Sequence, residues 1–416
     1  MKKIFFTTLL LFIVSLVSGQ EKRPFSFNDY FTSGRLRIDL IFAGNATKQN
    51  IFLKGLHHEQ IWSGTQDNMI DQFHYGDYCM KVISKDGREI YSTGFNNLFQ
   101  EWRTTAEAKQ VSMAFASSYW IPYPKDSVKV IFYERIKSDG KFVELYKFDI
   151  DPKDKSINAD KENDFEVVQV LNNGESSKKV DVLFVAEGYT KDEMDKFIKD
   201  VNKFTGYLFN VEPYKSRMND FNIWALKSIS EESGTDIPQN DIWKNTVISS
   251  NFFTFKIDRY LTAPDQSEIA KVASNAPFDI IYVIVNTNKY GGGGIYNYYA
   301  LSMSDHPTEP MVFVHEFGHA FAGLADEYYN SSVAYEEFYN LKVEPWEPNI
   351  TTKVNFDAKW KDMVGKNGVG LFEGGGYMAK GIFRPANDCR MKSNTAPGFC
   401  PVCVKAINDM IDYYTK

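Results

Sequence analysis

Residues 309–328 read EPMVFVHEFGHAFAGLADEY, and this stretch decides how the rest of the chain is interpreted. It contains His315-Glu316-Phe317-Gly318-His319, in which two imidazoles stand four residues apart. On a helix this spacing puts both rings on one face, about one turn apart, so that both can reach a single zinc ion. Glu316 lies beside the pair and can take a proton from a metal-bound water, the general-base role that the H-E-x-x-H pattern predicts.

The residues around the histidine pair predict a buried helix. Thr308 can cap its first turn, Pro310 suits that turn, and Gly323 can end it. Residues 311–314 are apolar, and a helix that is apolar nearly all round is a buried one. Two histidines placed there for packing alone would be costly, because each ring would need hydrogen-bond partners. Metal binding is therefore the favoured interpretation.

The third metal ligand is expected just beyond the glycine. Asp326 and Glu327 are the nearest acids there. A chain reversed at Gly323 could swing a carboxylate back towards the two imidazoles, which would complete three protein ligands and leave one open position. Asp326 is the predicted ligand, and Glu327 is the alternative.

These residues resemble the active-site helix of the IgA-peptidase-like zinc metallopeptidases, relatives of the metzincins. The resemblance extends from about residue 180 to the C-terminus. It departs from the standard metzincin pattern, because the glycine and the third ligand each fall one residue later when counted from the first histidine. This difference keeps Asp326 and Glu327 both open, with a supporting or tyrosine-anchoring role expected for Glu327.

The resemblance also assigns roles further along the chain. The segment 388–391 resembles the methionine turn beneath the zinc of metzincin-like enzymes, in which Met391 would pack under the histidines without binding the metal. Three residues are candidates by type for stabilising an oxyanion or contacting substrate, and Tyr377 ranks before Arg384 and His306.

Length and charge limit the possible functions. The chain has 416 residues, which suggests two domains, and 43% of its residues are hydrophobic. Its net charge is -7, and no basic run of the nucleic-acid-binding type occurs. Nucleic acid is therefore not an expected partner.

Residues 1–19 are typical of a secretory signal peptide. Met1-Lys2-Lys3 is a basic start, residues 4–17 are largely apolar, and Ser18-Gly19 is a small-residue exit before Gln20. The apolar run is short for a membrane span, and the sequence has no other long apolar stretch. We expect a mature chain without a membrane span that is secreted, periplasmic or displayed at the cell surface. An uncleaved N-terminal anchor is the alternative.

Export would place the four cysteines in an oxidising compartment. Cys389, Cys400 and Cys403 lie close together in the sequence, whereas Cys79 is far away. We expect one structural disulfide among the three, with the pairing left open. The Cys-Pro-Val-Cys motif at 400–403 also fits a redox site or half of a zinc site, but the first needs a thioredoxin-like unit and the second needs more ligands nearby.

The pattern of elements predicts an α+β protein with two domains. Residues 20–160 contain β-rich runs and Asp-Gly turns, which predict an antiparallel β-sandwich that serves as an accessory domain. Residues 161–416 alternate strands and helices after a polar connection, which predicts a metzincin-like α/β zinc peptidase domain. The glycines at 291–294 are expected to form a flexible turn into a strand at the edge of the sheet.

Taken with the resemblance, the sequence predicts a secreted zinc endopeptidase. One Zn²⁺ per chain would be held by His315, His319 and Asp326, and a monomer would cleave a protein or peptide substrate. The alternative is an exported protein that binds glycan or protein and has a structural or inactive metal site. In that case an aromatic face on the sandwich would carry the binding, and its candidates are Trp62, Trp102 and Trp120.

Overall fold

A computed structural model describes residues 25–330 and 338–416. The predicted signal peptide, residues 1–19, lies outside the described residues. In the described part of the chain, none of the helices combines the length and the apolar character that crossing a membrane requires.

The N-terminal part of the chain forms two antiparallel sheets that pack face to face. Its elements are α1 (Phe27–Tyr30), β1 (Phe31–Gly44), β2 (Gln49–Glu59), β3 (Tyr78–Ser84), β4 (Glu89–Phe95), α2 (Leu98–Trp102), β5 (Met113–Pro124), β6 (Val128–Arg135) and β7 (Phe142–Ile150). One sheet has the order β2-β1-β5 and the other β4-β3-β6-β7. Phe95 on β4 and Tyr119 on β5 join them, with ring centroids 4.0 Å apart. The predicted antiparallel sandwich is confirmed.

The three tryptophans proposed for a binding face differ in burial. Trp102 is fully buried, and its ring stacks on Phe99 with centroids 6.0 Å apart. Trp62 and Trp120 are half-buried. Each of them packs edge-on against another aromatic ring. Trp102 therefore belongs to the core, whereas Trp62 and Trp120 line a cavity between the sandwich and the α/β unit.

The second part of the chain is a mixed α/β unit. Its elements are β8 (Glu166–Leu171), β9 (Val180–Glu187), α3 (Met194–Leu208), β10 (Phe221–Lys227), α4 (Gln266–Ala273), β11 (Ile280–Val285), β12 (Gly292–Ile295), β13 (Tyr299–Met303), α5 (Glu309–Ala322), β14 (Phe372–Gly375), β15 (Met378–Arg384) and α6 (Pro401–Thr415). The main sheet has the order β12-β13-β11-β9-β10-β8. Its inner strands are parallel, and β8 and β12 run antiparallel to their neighbours. This arrangement confirms the predicted α+β class.

Strand β9 is buried along its whole length because both faces of the main sheet are covered. Val182 and Phe184 belong to a core that includes residues of α3, α5 and α6. The alternate residues Leu183 and Val185 belong to a second core that includes α4 and the sandwich. The sandwich therefore covers the face that a second layer of helices covers in a doubly wound fold.

Polar contacts also join the sandwich to the α/β unit. Arg35 on β1 donates from Nη2 to the carbonyl oxygens of Ala273 and Ser274, each at 3.2 Å. Ser117 on β5 donates to Gln266 Oε1 at 2.7 Å. The two parts share one core, and the domain boundary between residues 160 and 161 stays a prediction.

Candidate metal centre and cleft

Helix α5 carries the histidine pair, and local sequence sets both of its ends. It begins after Thr308, whose hydroxyl bonds to His306 Nδ1 and does not cap the helix as expected. It ends at Gly323, which has a left-handed φ of 62°. A Cβ at Gly323 would be strained and would lie 2.9 Å from the Trp346 ring. The glycine thus allows a tight turn after which the chain folds back.

Three donor atoms converge beside the C-terminal half of this helix. His315 Nε2 and His319 Nε2 are 3.0 Å apart, and Asp326 Oδ1 lies 2.9 Å from the first and 3.3 Å from the second. Ligands at about 2.0–2.1 Å from one tetrahedral zinc ion lie about 3.3 Å from each other, so these distances suit a shared metal. Asp326 Oδ1 is buried and faces the two imidazole nitrogens. The three side chains therefore fit a zinc ion.

Hydrogen bonds from behind hold each of the three groups in place. His315 Nδ1 bonds to the carbonyl oxygen of Arg390 at 3.0 Å, and His319 Nδ1 bonds to that of Leu324 at 2.5 Å. If each Nδ1 is the protonated nitrogen, each Nε2 is free to bind a metal. The remaining oxygen of Asp326, Oδ2, accepts from Tyr377 OH at 2.5 Å.

Burial and ion pairing shift the pKa values of this cluster. Burial disfavours the charged form of His319, but the Asp326 carboxylate outweighs it and raises the pKa of His319 to about 9. Burial also opposes the charge on Asp326, yet the two imidazoles hold its pKa well below the ordinary value. The pKa of Glu316 is raised, chiefly by burial. The cluster therefore favours a carboxylate paired with a positive charge, either a proton or a metal cation.

Glu316 lines the cleft beside the histidines and lies against β12. Its Oε1 is 3.1 Å from the position that a Cβ on Gly292 would take. On the same face of the strand, a Cβ on Gly294 would lie 2.5 Å from the Glu316 carbonyl oxygen. The two glycines let the strand pack directly against helix α5, because they carry no side chains.

The glycine run forms strand β12 itself, at one end of the main sheet, and is not a flexible turn. The open cleft beside it has a volume of about 880 Å³, counting the solvent space at its mouth. Residues of the sandwich, the main sheet and the irregular segment after α5 line this space, among them Asn96, Glu101, Arg259, Tyr260, Tyr328, Phe338, Trp346 and Tyr377. The segment after α5 thus forms part of the cleft wall.

Met391 lies beneath helix α5. Its Sδ is 3.0 Å from the position that a Cβ on Gly318 would take, so the glycine makes room for the thioether. Arg390, the preceding residue, provides the carbonyl oxygen that bonds to His315. The structure brings Met391 to the position expected of a methionine turn, and packing under the histidines stays its predicted role.

Glu327 is turned away from the histidines and does not join the three donor atoms. Its Oε1 accepts from Asn349 Nδ2 at 3.0 Å and lies 3.3 Å from Cys403 Sγ. The alternative third ligand is therefore wrong for this structure. The neighbouring side chains of Asp326 and Glu327 serve two different clusters, and only the first faces α5.

The predicted disulfide is also wrong for this structure, because all four cysteines are free. Cys389 Sγ and Cys403 Sγ are 3.8 Å apart, whereas bonded sulfurs lie about 2.05 Å apart. The sequence could not show that Glu327 joins the three thiols of Cys389, Cys400 and Cys403 in one buried group.

Of the three oxyanion candidates, Tyr377 lines the cleft and the other two lie elsewhere. Tyr377 has a φ of 64°, a left-handed conformation that a tyrosine adopts only under strain and that is often found at functional sites. Arg384 is buried and donates to two backbone carbonyls of β14. His306 lies at the start of α5, where its ring bonds to Thr308.

Arg259 is a cleft residue that sequence reasoning missed. Its positive charge acts on Asp326 and Glu316, which places a cation beside the metal ligands. Its guanidinium carbon is 6.0 Å from the centre of the Tyr328 ring. Arg259 belongs to an irregular segment between β10 and α4, and no local motif could have singled it out.

Comparison with known families agrees with this geometry. The family described as IgA Peptidase M64 matches residues 168–368 and 366–411, and the family described as Peptidase M64 N-terminus matches residues 26–147. No curated protein matches the chain. The first match covers more than half of the chain and includes every donor residue of the metal centre. The chain therefore belongs to the IgA peptidase M64 family of metallopeptidases, and its substrates are proteins or peptides.

Proposed function

We propose that the chain is an exported, zinc-dependent endopeptidase whose metal is held by His315, His319 and Asp326. The observation that carries this proposal is the convergence of two Nε2 atoms and one Oδ1 atom, each within 3.3 Å of the others. Three protein ligands leave a fourth position for water, as in catalytic zinc sites. Two imidazoles and a carboxylate are also a donor set that zinc accepts.

The residues around the ion would divide the chemistry among them. When bound, zinc would lower the pKa of a coordinated water towards about 7 and polarise the scissile carbonyl group. Glu316 would accept the water's proton on its carboxylate and pass it to the leaving amine. Its raised pKa makes the carboxylate a stronger proton acceptor.

The substrate would lie along β12 as an added extended strand. This strand ends the main sheet and lines the cleft, and edge strands commonly bind peptides through main-chain hydrogen bonds. Gly292 also forms an isolated bridge with Tyr260, so the peptide would pair with β12 beyond that bridge. Arg259 would place a positive charge near the developing oxyanion.

Export rests on the N-terminal sequence. The basic start, apolar run and small-residue exit of residues 1–19 support cleavage before Gln20. N-terminal sequencing of the protein recovered outside the cytoplasm should find a first residue near Gln20. Recovery of a chain that still begins at Met1 and stays with the membrane would support the uncleaved anchor instead.

The central test is Glu316→Gln. We expect this variant to bind zinc as wild type does and to lose a factor of about 10²–10⁴ in peptide hydrolysis, because the proton acceptor is gone and the ligands are intact. Glu175→Gln is the matched control, since Glu175 is exposed and is not among the residues that line the cleft. Metal content and cleavage of a broad peptide library should be measured for both variants.

Chelation separates the peptidase from the binding-protein alternative. A chelator should abolish cleavage, and added zinc should restore it. Full cleavage by Glu316→Gln would refute the role of Glu316. Repeated absence of cleavage by zinc-loaded wild type would favour an exported binding protein with an inactive metal site.

A further inference from the structure

A second group of metal-ligating side chains lies outside the histidine cluster. Cys389, Cys400, Cys403 and Glu327 each offer one donor atom, and these four atoms all lie within 4.8 Å of one another. All four residues are buried, with relative exposures of 1%, 5%, 0% and 0%, respectively. The group joins the turn that carries Met391, the first turn of α6 and the segment that follows Asp326.

The distances in this group are those of ligands around one ion. Cys389 Sγ is 3.8 Å from Cys403 Sγ, and Cys403 Sγ is 3.3 Å from Glu327 Oε1. Sulfur and oxygen ligands at about 2.3 and 2.0 Å from a tetrahedral zinc ion lie about 3.5–3.8 Å apart. A sulfur pair at 3.8 Å is too far apart for a bond and close to the spacing of two thiolates on one zinc ion.

An unsatisfied oxygen and the balance of charge both point to a missing cation. Glu327 Oε2 is fully buried and has no hydrogen-bond partner among the described residues, although such an atom normally has one. Two buried guanidinium groups act on the group electrostatically, Arg384 on Glu327 and Arg390 on Cys389. Three thiolates and a carboxylate would carry four negative charges, and the two arginines with one divalent cation would balance them.

We propose that Cys389, Cys400, Cys403 and Glu327 bind a structural zinc ion, separate from the ion held by the histidines. Three soft thiolates in a tetrahedral arrangement favour zinc over calcium or magnesium. Four protein ligands leave no open position, so the site would stabilise the fold and would not act on substrate. The chain would then hold two zinc ions where the sequence predicted one.

The second ion would brace the first site. Glu327 directly follows Asp326, and its N–H donates to the Met391 carbonyl at 2.8 Å. Cys389 directly precedes Arg390, whose carbonyl oxygen orients His315. An ion bound by both Glu327 and Cys389 would therefore hold the segment that carries Asp326 against the segment that supports His315. Cys400 and Cys403 would attach both segments to α6 through the same ion.

Metal stoichiometry of the full mature chain tests this proposal. We expect two zinc ions per chain by elemental analysis and native mass spectrometry in wild type. One ion should remain in the double variant His315→Ala/His319→Ala, and one in Cys400→Ser/Cys403→Ser. Cys79→Ser is the matched control, because Cys79 is a buried free thiol in the sandwich, and it should keep both ions.

Cobalt substitution gives a second readout that does not depend on the cysteine variants being folded. The histidine double variant loaded with Co²⁺ should show the near-ultraviolet charge-transfer absorption of thiolate-bound cobalt. One zinc ion in wild type with none in the histidine variant would overturn the proposal. So would a mass showing the loss of two hydrogens, since it would mean that two of the three cysteines form a disulfide. A single zinc ion in wild type that is still bound by the histidine double variant would instead count against the proposed catalytic site.

Discussion

Tyr377 shows how a single residue supports the metal centre. Its hydroxyl donates to Asp326 Oδ2 at 2.5 Å, so it orients the carboxylate of the proposed third ligand. We expect Tyr377→Phe to weaken zinc binding about tenfold or more, because loss of such a supporting hydrogen bond commonly has that effect. Tyr339→Phe is the control, since Tyr339 lines the same cleft but donates to Glu347.

Competition with a chromophoric chelator measures the zinc affinity of both variants, and steady-state kinetics measures their turnover. Unchanged affinity with a large fall in kcat would contradict the supporting role. It would favour the sequence prediction that the Tyr377 hydroxyl contacts the oxyanion.

The protonation of His319 predicts how zinc binding depends on pH. The metal-free protein has a His319 pKa raised to about 9, so zinc must displace a proton from this imidazole at any lower pH. The apparent affinity should therefore rise as pH rises, by about tenfold per unit, and should level off near the pKa. Chelator competition between pH 6 and pH 10 tests this expectation, with His319→Ala identifying the share of zinc bound at this site. A flat profile would contradict it.

At the scale of elements, the contact between β12 and α5 depends on glycine. A Cβ on Gly294 would lie 2.5 Å from the Glu316 carbonyl oxygen and 3.0 Å from His319 Cβ. We expect Gly294→Ala to reduce the free energy of unfolding by about 1–3 kcal/mol, since the strand and the helix would have to move apart. Peptidase activity should fall with it, because the same contact borders Glu316.

Gly206→Ala is the matched substitution in α3. No atom lies within 4 Å of a Cβ at Gly206, and the residue is exposed on the helix. This variant should have a free energy of unfolding higher by about 0.5–1 kcal/mol, because alanine loses less backbone entropy than glycine when a helix forms. Denaturant unfolding of both variants checks the pair. If the two substitutions changed the free energy of unfolding equally, close packing of β12 against α5 would not require glycine at position 294.

At the scale of the whole molecule, the sandwich and the α/β unit should unfold together. They share a core in which Leu183 and Val185 of β9 join the sandwich residues, and separating them would expose that apolar surface. Far-ultraviolet circular dichroism and tryptophan fluorescence should give coincident transitions in denaturant. Two resolved transitions would show that the sandwich is an independent accessory domain.

A substitution at the contact between the two parts sharpens this test. Arg35 is buried, pairs with Glu59 and donates across to Ala273 and Ser274. Arg35→Ala should lower the free energy of unfolding by about 3 kcal/mol, because it removes the buried ion pair with Glu59 and two hydrogen bonds across the contact, while Glu59 keeps its pairing with Arg37. Lys129→Ala is the control. It removes an exposed ion pair with Asp149 and should lower the free energy of unfolding by less than about 1 kcal/mol.

The sequence by itself determined those features that depend on neighbouring residues. The spacing of His315 and His319 on one helix and the left-handed turn at Gly323 are local, so the helix that carries the histidine pair and its end could be predicted. The alternation of strands and helices likewise predicted the α+β class, because each element is specified by its own pattern of apolar residues.

Only the tertiary structure decided the features that join distant parts of the chain. Which acid joins the histidines depends on where the chain runs after Gly323, and Glu327 meets Cys403 across 76 residues of sequence. Arg259 and Glu101 reach the cleft from different layers of the fold. No local pattern encodes such contacts, because their geometry is set by the packing of the sandwich, the sheet and the helices around one another.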